Sequence, residues 1–191
     1  NYKVIEGLSP APLFSHFAAI SGIDRASGRE VGIADYIVKI AEKKGYFTIR
    51  DSANNVVTFI PASLGKENIP ELVLQSHIDM VAVDSAGKDF NTGDIKFKIN
   101  GGKLKAEGTT LGADNGIGIA AMLAIMTGED IEHGPLVLLF TATEETGLIG
   151  ANALYPEVLS AKYLLNLDSE EFKEVTVGCA GGGRCQGIFK D

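Results

Sequence analysis

The sequence predicts an α/β domain built on a mixed, partly parallel sheet. Two patterns and one bulk property carry that expectation. Segments with apolar residues at helical spacing alternate with short apolar runs of strand length, an order that builds layered domains around a buried sheet. Several of those runs stop at an acid or a histidine, the mark of strands whose carboxyl ends line a site. The 191 residues, 45% hydrophobic and 22% charged, suffice for one sizeable core.

Each element has a local reason. Ser9-Pro10 opens a helix over Ala11–Ile20 that stops near Gly22. Residues 29–44 read as an amphipathic helix, with Ile33, Ile37, Ile40 and Ala41 on one face and Gly45 as its stop. Residues 47–51 and Val56–Ile60 read as paired strands. A short buried strand is expected over residues 72–76, then a polar loop over 84–93. Residues 95–99 and Lys103–Ala106 form a hairpin turned by Asn100-Gly101. Residues 117–126 are apolar almost all round, which predicts a buried helix. Gly116, Gly118, Ala120, Ala121 and Ala124 leave it thin enough to lie close against the sheet. Leu136–Thr141 is a strongly apolar strand, and residues 147–154 a short helix. Residues 163–167 and 175–179 are expected as further strands.

Bulk properties narrow the function. A net charge of −8 argues against nucleic acid and anionic membrane as partners. No apolar run reaches the roughly 18 residues of a membrane span. The first residues lack a signal-peptide pattern and an initiator Met, so a trimmed, cytoplasmic chain is expected. Cys179 and Cys185 match no zinc spacing and are read as structural thiols of a reducing compartment.

The chemistry concentrates at strand ends. One run leads to His77-Ile78-Asp79, another to Glu144-Glu145 and a third to Asp168. If these strands are parallel neighbours, all five side chains project into one crevice, and Asp114, at the mouth of the buried helix, joins them. So many carboxylates need a cation among them, or their pKa values must rise. One imidazole among acids suits zinc, and carboxylate-bridged zincs suit a cluster this acidic. In His77-x-Asp79 both side chains leave the same face of a continuing strand. Asp79 can then accept the ring N–H of His77 while the other nitrogen binds metal. Of Glu144 and Glu145, one can bind metal while the other acts as general base. Each feature also has a plain reading: Asp114 as a helix cap, Glu144-Glu145 as a helix start, Asp168-Ser169 as a turn, His77 as an ordinary edge histidine. His16 and His133 are read as structural.

Four motifs in order carry a resemblance to a known family. His77-Ile78-Asp79-Met80, Gly108-Thr109-Thr110-Leu111-Gly112-Ala113-Asp114-Asn115-Gly116, Thr143-Glu144-Glu145-Thr146-Gly147 and Asn166-Leu167-Asp168-Ser169-Glu170 resemble the co-catalytic zinc exopeptidases, nearest the aminoacyl-histidine (Xaa-His) dipeptidase group, also called peptidase D. Gly178-Cys179-Ala180-Gly181-Gly182 looks like the same group. The resemblance implies a three-layer α/β/α fold of the phosphorylase/hydrolase-like type. It also implies hydrolysis of dipeptides, a small peptide substrate and two Zn2+ ions, with Co2+ or Mn2+ as substitutes. By position, His77 and Asp168 would hold one zinc, Glu145 the other, and Asp114 would bridge them through a cis Asp114–Asn115 peptide. Asp79 would orient His77, and Glu144 would be the general base. Members of the group are longer, with a lid domain and a returning segment that supplies another zinc-binding His. The expectation for residues 1–191 is therefore the N-terminal part of a catalytic domain, incomplete at its C-terminal side, with an open sheet edge that favours a homo-oligomer. A related zinc amidohydrolase (aminoacylase or tripeptidase) and a non-catalytic metal-binding fragment are the competing expectations.

Overall fold

Alternation along the strands decides how the sheet is buried. The structure, a computed structural model, describes residues 1–169 and 173–178. Five strands form the main sheet: β1 (Phe47–Arg50), β2 (Val56–Ile60), β3 (Leu72–His77), β6 (Leu136–Thr141) and β7 (Tyr163–Asn166), in the spatial order β1-β2-β6-β3-β7. A separate hairpin supplies β4 (Phe97–Asn100) and β5 (Lys103–Ala106). The pair β1–β2 and the pair β2–β6 are antiparallel, whereas β3 runs parallel to both β6 and β7. The predicted mixed, partly parallel sheet is therefore present.

Successive residues face opposite sides. Val56, Ile60, Leu74, Leu136, Leu138 and Phe140 pack with the helical residues Phe17, Ile20, Ile33, Ile37, Ile119 and Leu123 in the larger core. These come from α2 (Ala11–Ile20), α3 (Val31–Lys43) and α4 (Ala113–Thr127). Val57, Val73, Val137 and Leu139 face the other way, against Leu154, Leu159 and Ala161, which follow the short α5 (Ile149–Ala153). Strands buried on both faces explain why β6 reads as an unbroken apolar run: all six of its residues are buried.

Several boundaries shift for identifiable reasons. The helix expected over 29–44 starts at Val31, because Arg29 and Glu30 belong to the preceding loop. The hairpin pairs Asn100 with Lys103, so its turn residues are Gly101 and Gly102, both with positive φ (60° and 73°). That is one residue later than Asn100-Gly101, and two positive-φ positions suit glycine better than asparagine. A further short helix, α1 (Tyr2–Ile5), precedes α2. The polar loop of residues 84–93 is tied down by a bridge from Asp84 to Thr109. Residues 175–178 form no strand; Glu170, Cys179, Cys185 and the run 179–182 lie outside the described residues.

The helix α4 carries the largest departure from a regular element. Asp114 (φ −80°, ψ 115°) and Asn115 (φ −101°, ψ 36°) are non-helical, and the peptide between them is cis. The capping role of the plain reading of Asp114 falls instead to Asn115, whose Oδ1 accepts the amide of Gly118 at 3.1 Å. The helix then lies against β3: Ser76 Oγ donates to the carbonyl of Asn115 at 3.1 Å. A side chain at Gly118 would collide with Asn115 Oδ1 and Ser76 Oγ. Gly118→Ala is expected to cost about 1–3 kcal/mol, the usual range for overpacking. It should appear as a lower urea midpoint with an unchanged slope; a midpoint equal to wild type would mean that the helix and β3 can separate freely.

Candidate metal centre

The parallel register puts the strand ends side by side. His77 pairs with Thr141, and Gln75 with Asn166, so β3, β6 and β7 all end at one edge. The next residues of each strand carry the chemistry. Ile78 continues the ladder, its amide donating to Thr141 at 2.8 Å, and this keeps His77 and Asp79 on one face. Ring Nδ1 of His77 lies 3.2 Å from Asp79 Oδ1, and ring Nε2 lies 2.9 Å from Asp114 Oδ1 and 3.7 Å from Asp168 Oδ2. Two sets of donors, His77–Asp114–Asp168 and His77–Glu144–Glu145, each have their ligand atoms within 4.8 Å of one another and could hold a metal ion. Every residue singled out for the site is thus in one place, with His77 common to both sets. His77 and Asp79 are buried, while 62% of the Asp114 side chain is exposed. The ligand side therefore opens to solvent and the supporting side does not.

Asp79 is the hub of that support. Its carboxylate, with no exposed surface, accepts from His77, from Ser27 Oγ at 2.8 Å, and from the backbone amides of Glu144 at 2.9 Å and Glu145 at 3.2 Å. Burial alone would raise its pKa, but the hydrogen bonds from His77, Glu144 and Ser27 bring it below the ordinary range. The turn after β6 is held in the same grip. Thr143 has a positive φ of 52°, and Glu144 accepts the amides of Gly147 and Leu148, so the pair Glu144-Glu145 forms a tight turn rather than a helix start.

Charge shapes the rest. Burial pulls the His77 pKa down, but its hydrogen bonds to Asp79 and Asp114 and the charges of Asp79 and Asp168 win, raising it to about 9. Burial, then the charge of Asp114, raises Glu145. Burial raises Asp168, and the charges of Asp114 and Glu144 add to the rise against His77. His77 therefore holds its proton to higher pH than a free imidazole, and Glu145 and Asp168 hold theirs to higher pH than free carboxylates. Of the two alternatives foreseen for crowded carboxylates, the raised pKa values are found at Glu145 and Asp168.

Three residues of the site escaped the sequence reading. Arg25 is fully buried beneath the centre. Its guanidinium donates to the carbonyls of Ile78 (3.3 Å), Asp79 (3.1 Å) and Gly112, and its Nε has no partner among the described residues. Burial lowers its pKa to about 10, against the pull of Asp79 and Asp114, so it remains charged at neutral pH. Ser27 and Glu30 come from the same loop between α2 and α3. The only signal in the sequence was Ser27-Gly28-x-Glu30 ahead of an amphipathic helix, which reads equally well as an exposed helix start. The histidines left as structural are so engaged: His16 Nε2 lies 2.9 Å from Thr127 Oγ1, and His133 Nδ1 lies 2.7 Å from its neighbour's carbonyl, Gly134 O.

Comparison with known proteins agrees with this geometry. The profile of Peptidase family M28 matches residues 55–184. The chain belongs to peptidase family M28. It is 46% identical over 177 residues to the cytosol non-specific dipeptidase of Escherichia coli (strain K12), an alignment covering 92% of this chain and 36% of the relative. Among solved structures, the aminoacylhistidine dipeptidase of Vibrio alginolyticus superposes with a TM-score of 0.83 at 43% identity, covering 88% of this chain and 35% of that one. A tripeptidase from Staphylococcus aureus superposes with a TM-score of 0.72 at 28% identity, covering 84% and 43%. The chain spans about a third of the length of the two dipeptidases. Among the described residues no helix is long and apolar enough to cross a membrane.

The raised His77 pKa makes a pH prediction. Its folded value, about 9, lies above the ordinary 6.5. The stability it contributes to the metal-free protein is fully present below pH 6.5 and is lost as pH rises through about 9. The thermal midpoint of metal-free wild type should therefore fall over that window by more than that of His77→Asn. Metal affinity should climb over the same window, because the metal must displace the His77 proton. Parallel pH profiles for the two proteins would contradict the assignment.

Proposed function

We propose that this site hydrolyses the peptide bond of small dipeptides, of Xaa-His type, with two zinc ions held by His77, Asp114, Glu145 and Asp168. The observation that carries the reading is the convergence of two donor sets on the buried imidazole of His77. An imidazole among carboxylates is a donor set that zinc accepts. The upward shifts of His77, Glu145 and Asp168, to which the neighbouring carboxylates contribute, support a place for added positive charge in the cluster. The residues therefore fit the metal. The family and the two dipeptidase relatives support the reaction class.

Bound there, the metal pair would polarise the scissile carbonyl and lower the pKa of the attacking water. The protein's own groups do the remainder. Asp79 fixes His77 through Nδ1 and so presents Nε2 to the ligand side. Asp114, within 2.9 Å of that Nε2 and open to solvent, would be shared between the two ions. Asp168 completes the first donor set, and Glu145 serves the second. Glu144, whose amide is held on Asp79, acts as general base: it takes the proton of the attacking water and passes it to the leaving amine. A pocket of about 360 Å3 opens beside Asp114 and Glu145, lined by Met80, Val81, Thr110 and Leu111. Its apolar walls would receive a substrate side chain.

In this reading residues 1–191 are the first part of the catalytic domain of a longer cytoplasmic peptidase, consistent with their match to about a third of the relatives. Among the described residues strand β7 lies at the sheet edge, with Tyr163, Leu164 and Leu165 exposed, which supports self-association of this piece. The 191 residues alone are expected to take up zinc and to turn over dipeptides poorly, and a form extended to the relatives' length to turn them over well. Equal turnover by the two forms would overturn the partial-domain reading. Preference for N-acyl amino acids over dipeptides would move the assignment to an amidohydrolase.

Two substitutions separate the roles. Glu144→Gln in the active form should keep its zinc and lose roughly 10²–10⁴ in turnover, the worth of general-base catalysis. Loss of zinc together with activity would exchange the roles of Glu144 and Glu145. Asp114→Ala should lower zinc stoichiometry more than alanine at any other ligand, since it would touch both ions; an unchanged stoichiometry would remove it from the bridge.

A further inference from the structure

The mechanism above leaves one buried acid unused. Glu30 is 2% exposed and stands just ahead of α3, where an acid ordinarily favours the positive end of a helix. Its side chain does not cap that helix. Instead its Oε1 accepts the amide of Gly28 at 2.8 Å and, from across the site, the hydroxyl of Thr143 at 2.7 Å.

Thr143 is where the turn after β6 leaves ordinary backbone geometry. Its φ of 52° lies in the left-handed region, which a β-branched residue seldom adopts. The turn it begins carries Glu144 and Glu145, and two sets of restraints hold that turn from one side. Asp79 takes the amides of Glu144 and Glu145, and Glu30 takes the Thr143 hydroxyl. Asp79 restrains the backbone after the left-handed residue, and Glu30 restrains the left-handed residue itself.

We propose that Glu30 is a positioning residue for this centre, acting through Thr143 to set the direction in which the Glu144 and Glu145 carboxylates leave the turn. The proposal rests on the reading of Glu145 as a metal ligand. Glu30 touches neither metal nor substrate; it acts on groups that do. Outer groups of this kind usually change metal affinity or activity by 10–100-fold when removed.

The test reads zinc affinity, by competition with a chromophoric chelator, beside the thermal midpoint of the metal-free chain. Thr143→Val removes only the hydroxyl, and Thr143→Ser keeps it. The expected result is a 10–100-fold weaker zinc affinity for Thr143→Val and an affinity close to wild type for Thr143→Ser. Glu30→Gln retains the acceptor Oε1 and should stay within a few-fold of wild type. Glu30→Ala should weaken zinc at least as much as Thr143→Val, since it also frees the Gly28 amide, and the double variant should be no worse than Glu30→Ala, because the two changes share the Thr143–Glu30 bond. If Glu30→Ala does not fold, the Thr143 pair decides alone. Lower thermal midpoints with unchanged zinc affinity would assign the bond a purely structural role and overturn the proposal, as would losses that multiply in the double variant. Wild type that takes up no zinc would instead overturn the metal reading, and the positioning role with it.

Discussion

The buried carboxylate of Asp79 is the interaction on which the site depends. Removing a carboxylate from water costs about several kcal/mol unless its lone pairs are met. Here they are met by one ring nitrogen, one hydroxyl and two backbone amides. The donors come from three parts of the chain: His77 from the end of β3, Ser27 from the loop after α2, and Glu144 and Glu145 from the turn after β6. Satisfying one acid therefore assembles three segments, and in doing so aims the imidazole of His77 and the paired glutamates at a common point.

A second constraint is charge. Asp79, Asp114, Glu144, Glu145 and Asp168 crowd the carboxyl edge of the sheet, and Arg25 answers them from below with a cation that no exposed surface screens. Among the described residues it makes no ion pair; its hydrogen bonds go to carbonyls of β3's extension and of the Gly112 loop. It therefore works on geometry and on field together, tying the His77 segment to the Asp114 segment while offsetting the acids of both. One fixed cation beneath five acids leaves an excess of negative charge on the open side, and burial together with the neighbouring carboxylates raises the pKa values of Glu145 and Asp168, while against its burial Asp79, Asp114 and Asp168 raise that of His77.

Close packing gives the acids their place. The contact between α4 and β3 is possible because Gly118 leaves room for Ser76 and Asn115, and it brings the mouth of α4 to the end of β3. The cap on Asn115 releases Asp114 from the role its residue type suggests. A capping acid would turn back toward its own helix. Freed of that, Asp114 reaches His77.

Much of this was legible in the sequence because it is local. Val56–Ile60, Leu136–Thr141 and Ala11–Ile20 carry their spacing, stops and burial within a few residues, and period alone locates them. The acids at strand ends declared a site, and the order of the four motifs declared the family. Other features were decided only by the tertiary structure. Nothing near Asp24-Arg25 distinguishes a buried guanidinium from an exposed turn, since its partners lie more than fifty residues away. Glu30 reads as the first-turn acid of α3, and only the approach of Thr143, 113 residues on, gives it another partner. The sequence by itself determined the fold class, most of the strands and the residues that gather at the strand ends, because periodicity and residue chemistry are properties of short stretches. The tertiary structure alone decided the support behind the ligands, because a polar side chain takes its role from whichever unsatisfied group the fold brings beside it.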